Sequence, residues 1–306
     1  MFKIKVGIIG CGVIGSSLAK IIENRFKNKA QLAWLCDHHF PKAAVLQKAL
    51  KSKPVITDSR NLIRKADLIV EAASARVSGS IAREAVARGK DVLILSVGGL
   101  LSLCHPEAFS AKQPPCGVAE GSPRFFAQHS SPLGSLRMTD SGGLRMTRNK
   151  GRLWIPSGAI AGVDALLASR EAGLKSVKLV TRKPPAGLSE APYFKNKNFP
   201  KLAGSREYCV FKGNAADAVR NFPQNINVAA LLSLAGLGPK KTLVEIWTSN
   251  AYQGNQHEVT IVSNAGEIRT VSKNVPFPEN LKTSALAAYS AAALLRKIFS
   301  GFRVGT

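Results

Sequence analysis

The chain is poor in cysteine, in acidic side chains and in long apolar runs. Five cysteines, Cys11, Cys36, Cys104, Cys116 and Cys209, are scattered through 306 residues, odd in number and without a C-x-x-C pair. That pattern argues against a disulfide framework and a zinc knuckle, and leaves reduced structural thiols. His105, His129 and Cys116 lack metal-ligand spacing, so no metal is expected. No apolar run reaches the roughly 18–20 residues that a membrane span needs. The opening MFKIKVGIIGCGVIGSSLAK is basic and then apolar, as a signal peptide is. Its glycines, however, are spaced for a phosphate loop, and it has no clear small-x-small cleavage site. A cytoplasmic protein is expected.

Only 19 acidic residues face 43 lysines and arginines, a formal net charge of +24. Such an excess suits nucleic acid, acidic membranes or anionic small molecules. Its distribution decides between them. Residues 1–103 hold 17 basic and 7 acidic residues, residues 104–152 hold 7 and 3, and residues 153–306 hold 19 and 9. With no basic tail and no Lys/Arg block, the charge reads as a solvated surface rather than a nucleic-acid footprint. The 45% hydrophobic content is enough for a proper core.

The first hundred residues alternate in texture. KIKVGIIG, QLAWLCD, ADLIVEAAS and DVLILSVGG are short apolar runs that read as buried parallel strands. Helices are expected between them, over Val13–Arg25, Pro41–Leu50 and Ala82–Arg88. This rhythm predicts an α/β doubly wound parallel sheet with right-handed crossovers. Residues 104–152 contain 17 Gly, Pro or Ser in 49, and repeat LRMT at 136–139 and 144–147. They read as a surface insertion without order. From Leu153 a second, α+β unit is expected. Helices are predicted over Val163–Arg170, Ala215–Asn221 and Val228–Ala235. Strands are predicted at 174–183, YCVFKG, 241–249, 257–263 and 267–273, the last two joined by a hairpin at Asn264-Ala265-Gly266. Residues 184–205 read as a polar linker. A final apolar helix, Lys282–Phe299, is expected to pack back on the first unit. The expected division is 1–103 for a dinucleotide, 104–152 for the insertion, 153–275 for substrate and 276–306 for the C-terminal segment.

Gly10-x-Gly12-x-x-Gly15 follows a strand and opens a helix. The glycines permit a tight turn, close approach of pyrophosphate and close helix–strand packing, while the helix N-terminus offers N–H groups to phosphate. Gly10, Gly12, Val13, Ile14 and Gly15 are therefore expected to hold a dinucleotide. Asp37, 22 residues after Gly15, stands where a carboxylate accepts the adenosine ribose hydroxyls and repels a 2′-phosphate. NAD or NADP is expected, with NAD favoured. His38, His39 and the basic chain pull the other way. Ser74 and Ser96-Val97-Gly98 fall at the carboxyl edge of the sheet, where ligands bind. In the second half, His257 is a candidate acid or base. Lys183, fixed by Pro184, could hold a carboxylate. Ser157-Gly158-Ala159 reads as an anion-binding helix start. Asn225 and Asn227 flank the first turn of the Val228–Ala235 helix, where capping needs only one of them.

The stretches GIIGCGVIG, VEAAS, SVGGL, IPSGAIAGVDAL, TRKPP, FKGNAADAV, FPQNINVAALLSLAG, NQHE and PFPENLKTSALAAYSAAALLR together resemble the L-aspartate dehydrogenase family. They cover almost the whole chain except the insertion, which is far longer here than the family's connector. The resemblance implies a Rossmann domain, a substrate α+β domain and a homodimer. It implies oxidation of L-aspartate to iminosuccinate with NAD or NADP, and the reverse reductive amination of oxaloacetate with ammonia. The product feeds quinolinate and NAD synthesis. By the same resemblance, His257 is the active-site histidine, and Ala161 and Asn227 contact the cofactor. Asn225 is then free to cap the helix. Ser157 and Lys183 are the candidates for the substrate carboxylates. Two alternatives stay open at this stage: an oxidoreductase of the same architecture acting on another amino acid or imine, and a non-catalytic, basic NAD-binding regulator.

Overall fold

The run Ile4–Ile9 is apolar at nearly every position, as a strand between two helix layers must be, and it forms the central strand β1. The structure, a computed structural model, describes residues 2–104, 136–138, 144–146, 151–195, 197–223, 226–277, 280–300 and 304–305. After β1 come α1 (Val13–Arg25), β2 (Ala30–Cys36), α2 (Phe40–Ala49), β3 (Val55–Ile56), α3 (Ser59–Lys65), β4 (Leu68–Glu71), α4 (Ala75–Ala87), β5 (Asp91–Ile94) and α5 (Gly98–Cys104). The first sheet has the order β3-β2-β1-β4-β5, completed by β8 (Leu153–Trp154) beside β5, every pair parallel. This is the doubly wound α/β arrangement expected from the sequence.

Its last strand, β8 (Leu153–Trp154), lies beyond the insertion. It pairs with β5 through Val92 and Leu93, and Arg152 grips Asp91 at 2.6 Å beside it. Residues 153–154 thus complete the first sheet, where the sequence reading had placed them in the second unit. Helix α4 begins at Ala75, and residues 82–87 continue it to a cap at Arg88. Within the insertion, the two LRM copies, β6 (Leu136–Met138) and β7 (Leu144–Met146), pair as a small antiparallel ribbon. His105, Cys116 and His129 lie outside the described residues.

The second unit comprises α6 (Val163–Glu171), β9 (Leu174–Lys183), β10 (Tyr208–Asn214), α7 (Ala215–Asn221), α8 (Asn227–Ala235), β11 (Thr242–Thr248), β12 (Asn255–Ser263) and β13 (Gly266–Asn274). The sheet order is β10-β11-β9-β12-β13. It is mixed rather than wholly antiparallel, because β11 returns beside β9 in parallel register after β10 and two helices. The expected hairpin is present, with Ser263 opposite Gly266. The supposed polar linker carries Tyr193, Phe194 and Phe199, whose rings pack edge-on among themselves and onto Phe211 and Phe222. Two short strands, β14 (Pro276–Phe277) and β15 (Asn280–Ser284), lead into α9 (Ala285–Phe299).

Helix α9 returns to the first sheet. Its Ala291, Ala292 and Leu295 are buried with Val6, Ile8, Leu18 and Ile22, and Phe299 meets Phe26 edge-on at 5.3 Å. Each fully buried leucine or isoleucine here contributes about 1.5–3 kcal/mol. On the other face of the sheet, Ile69, Ile94, Leu100 and Leu101 run into a second apolar cluster with Val177, Leu179, Ile226 and Ile261. The two units therefore share a core, and the cleft between them is a packed boundary. Among the described residues, no helix is long and apolar enough to cross a membrane.

Candidate active site

Strand β1 ends into the glycine loop. Gly10 takes φ +102, and a side chain there would strike the Ala72 backbone at 2.5 Å, so only glycine fits. Gly15 lies against the Gly10 carbonyl, which lets α1 start close over the strand. Gly12 has open space on its side-chain face, the side on which a pyrophosphate can approach the N–H groups of α1. A groove beside the loop is lined by Gly10, Gly12, Asp37, Ser74, Lys42 and Arg76. This donor set fits a dinucleotide: an open glycine, a helix N-terminus and a carboxylate at the end of β2.

Asp37 has a second task that spacing did not show. Its Oδ2 accepts the Cys11 N–H at 2.7 Å and its Oδ1 accepts the His39 N–H at 2.8 Å. It therefore ties the glycine loop to the β2 turn. Glu71, at the end of β4, does the same for the next two loops and was missed as a candidate. Fully buried, it accepts N–H groups from Ala73 at 2.8 Å and from Ser96 at 3.0 Å. Burial pushes its carboxyl above the usual range. The VEAAS motif contains this acid, but its partner Ser96 lies 25 residues away.

The second sheet supplies the chemistry. On its inner face, β9 presents Val177, Leu179, Thr181 and Lys183, and β12 presents Ile261, Val259, His257 and Asn255. Both strands thus change from apolar to polar toward the same end, and the polar ends meet at the cleft. A cavity of about 170 Å³ opens there. Its walls include Lys183, His257 and Asn255 from this sheet, Ile14, Leu95 and Val97 from the first unit, and Asn227, Ser157 and Ala159. His257, Lys183, Ser157, Asn227 and Ile14 are therefore brought to one place from distant parts of the chain. Val13 opens α1 next to Ile14.

His257 is 4% exposed and faces Thr181 across the strand pair, with Nδ1 and the Thr181 Oγ1 2.7 Å apart. That leaves Nε2 as the nitrogen not engaged by threonine. Burial, reinforced by the nearby Lys183 charge, pulls the imidazole down to about 3. Buried there, it is a neutral ring at physiological pH, not the near-neutral titrating group expected of an exposed histidine. Lys183, also 4% exposed, is lowered by burial to about 8. Asn227, the first residue of α8, accepts the Gly98 N–H through Oδ1 at 3.3 Å. It clasps the loop after β5 to the second unit. Asn225 lies outside the described residues.

One expectation needs correction. Ser157 lines the cavity but does not start a helix. It lies ahead of a turn at Gly158, and α6 begins only at Val163. Of the loop that follows, Ala159 lines the cavity with His257, and Ala161 lines the adjoining hollow. Strand β13 straps this loop down. Ala161 donates its N–H to Ser272 Oγ at 3.2 Å, its carbonyl accepts from Thr270 Oγ1 at 3.2 Å, and the Ala159 carbonyl accepts from Asn274. The hollow also carries Asp164 and Lys297.

A family model described as "Aspartate dehydrogenase, C-terminal" matches residues 164–298, and one described as "Homoserine dehydrogenase, NAD binding domain" matches residues 10–113. An L-aspartate dehydrogenase of Methanosarcina mazei is 36% identical over 304 residues, covering 99% of this chain and 100% of the relative. An L-aspartate dehydrogenase 3 of Bordetella bronchiseptica is 31% identical, covering 99% of this chain and 98% of the relative. Among solved structures, an aspartate dehydrogenase from Thermotoga maritima superposes with a TM-score of 0.67 at 24% identity, covering 99% of this chain and 100% of that one. At that identity the likeness is one of fold.

Proposed function

The chain belongs to the L-aspartate dehydrogenase family, and from that premise we propose that it oxidises L-aspartate to iminosuccinate with a nicotinamide dinucleotide. The observation that carries the reading is the cavity in which a neutral, buried histidine and a buried lysine face the end of the glycine-loop sheet. Gly10, Gly12, Gly15, Asp37 and Ser74 would hold the adenosine and pyrophosphate, and Ile14, Leu95, Val97 and Asn227 would flank the nicotinamide. When bound, the nicotinamide supplies the hydride acceptor.

The residues of this chain do the rest. Among the described residues no carboxylate pairs with Lys183, so its ammonium is available to a substrate carboxylate. A carboxylate seated there cancels part of the charge that depresses His257, and His257 becomes a better base as substrate binds. His257 takes a proton from the substrate ammonium, leaving a free amine whose lone pair forms the protonated imine as hydride departs from the α-carbon. In the return direction it gives that proton back. Val228 and Leu231 supply apolar wall to the cavity.

The finer assignments follow from the same frame. NAD is preferred, because Asp37 repels a 2′-phosphate; Lys42 and Arg76 in the same groove make NADP usable. The product feeds quinolinate and NAD synthesis in the cytoplasm. The protein works as a homodimer, and the outer face of the second sheet, with Leu243 and Val271 about half exposed, offers a surface for it. The test is L-aspartate-dependent appearance of reduced nicotinamide with NAD and with NADP, run beside His257→Ala. The substitution is expected to lower kcat by about 10²–10⁴-fold while cofactor binding holds. Wild-type protein that binds cofactor and reduces none with aspartate would overturn the reading.

A further inference from the structure

The polar end of the second sheet holds two cross-strand pairs side by side. Thr181 faces His257 across β9 and β12, and one step beyond the pair Gln256–Arg182 the same register sets Asn255 opposite Lys183. All four residues are buried, and Asn255, the least so, is 9% exposed. The first pair is closed by the hydrogen bond between Thr181 and His257. The second pair is open. Among the described residues, neither the Asn255 carboxamide nor the Lys183 ammonium has a hydrogen-bond or ion-pair partner.

A buried amide that has given up water without gaining a partner costs stability. Its neighbour on the other side shows the usual solution: Asn274 on β13, paired with Asn255, gives its amide to the Ala159 carbonyl. Nor are the two open groups sealed in. Among the described residues, the side-chain polar atoms that lack both a partner and access are Trp154 Nε1 and Ser284 Oγ. Asn255 and Lys183 are not among them, and both line the substrate cavity, about 7 Å along the sheet from His257 and Thr181.

The residue type sharpens the point. Aspartate has the shape of asparagine, but opposite Lys183 it would pair with the ammonium and cancel it. Asparagine leaves the lysine free and adds N–H donors fixed in direction. A carboxylate has two oxygens, so one can take the lysine and the other the amide.

We propose that Asn255 is a substrate-binding residue that forms, with Lys183, a two-sided clamp on one carboxylate of the substrate. Lysine supplies the charge and asparagine the direction, and the clamped molecule turns its amine toward His257, next on the same strand face. The inference rests on the proposed function, because it takes the substrate to be an acidic amino acid.

Asn255→Leu keeps the bulk and removes the amide. Asn255→Asp keeps the shape and gives Lys183 an internal partner. The probes, at neutral pH, are L-aspartate kinetics, calorimetric binding of succinate in the presence of NAD, and the melting temperature. Asn255→Leu is expected to weaken succinate and raise the aspartate KM by about tenfold or more, with the NAD KM unchanged and no loss of melting temperature. Asn255→Asp is expected to abolish succinate binding and to melt higher than wild type, because the buried ammonium is now paired. Binding that falls while the fold holds or gains is what a merely structural asparagine does not give. Succinate affinity and aspartate KM within about twofold of wild type in Asn255→Leu overturn the clamp. So does Asn255→Asp melting below wild type, which would mean that asparagine and lysine do not meet, and so does a wild type that binds no succinate. If succinate behaves as expected but wild type does not oxidise aspartate, the clamp stands and the dehydrogenase reading fails. Aspartate oxidation with a KM untouched by Asn255→Leu keeps the dehydrogenase and removes the clamp.

Discussion

Lys183 is a buried ammonium in a cavity where, among the described residues, no carboxylate answers it. Burial lowers it from 10.5 to about 8. Two pH effects follow, with opposite beneficiaries. For binding, only the charged form holds a carboxylate, so the aspartate KM should be level below pH 8 and climb above it, toward roughly tenfold per pH unit. The bound carboxylate stabilises the ammonium, so kcat at saturation should hold to higher pH than kcat/KM. For stability, the folded pKa lies below the unfolded one. Between about 8 and 10.5 the unfolded chain binds more protons, and wild type gains stability as pH rises through that window. Below pH 8 the cost of burying the charge is fully present. Lys183→Met keeps the length, removes the charge and should erase both effects: a uniformly high KM without the extra alkaline limb, and a melting temperature that no longer rises across the window relative to wild type. Parallel KM profiles for the two proteins would show that the lysine does not meet substrate.

At the scale of elements, the site depends on two strands lying in register. β9 and β12 are antiparallel neighbours, and their pairing puts Thr181 opposite His257. For Nε2 to act as base, the proton must sit on Nδ1, where Thr181 Oγ1 accepts it, so in the working tautomer the threonine is a positioning residue that holds the ring. A hydroxyl, unlike a carboxylate, adds no charge, which keeps the ring neutral. Thr181→Val keeps the shape and removes the bond. It should lower kcat by about tenfold and shift the 15N resonances of His257 toward a mixed tautomer, whereas Thr181→Ser restores both. Unchanged resonances in Thr181→Val would leave the threonine a packing residue only. The two halves of this pair differ in how legible they are. His257 stands out in NQHE, and the alternation of apolar and polar residues along 174–183 and 257–263 is visible to a period of two. The partner across the strands is not, because register is a tertiary property. Glu71 and the Gly98 partner of Asn227 were hidden in the same way, each lying far along the chain from the residue it meets. The glycine loop and Asp37 were legible because their chemistry is local. The 184–205 segment was misread because its three aromatic rings are spaced without a period, and only the fold brings them to Phe211 and Phe222. Strand β8 was misplaced because a two-residue strand carries no pattern, and its partner β5 lies on the far side of the insertion.

For the whole molecule, the net charge of +24 has no carrier in one motif. It acts as a field. Anionic ligands are drawn toward a surface of this sign, and confined clefts focus the effect. The dinucleotide groove combines the two scales, since Lys42, Arg76 and His38 line it around Asp37. NADP differs from NAD by one phosphate, which meets both the general field and these side chains. Screening should therefore separate the two cofactors. As ionic strength rises from about 0.01 M to about 1 M, the Debye length contracts from ~30 Å to ~3 Å. The KM for NADP is expected to rise much more steeply than that for NAD, by about tenfold or more against a few-fold, with kcat for both nearly level. Arg76→Gln should remove most of the difference in slope without altering the NAD value. Equal salt slopes for the two cofactors would mean that Asp37 excludes the 2′-phosphate from the groove altogether. The excess charge would then serve the solvated surface alone.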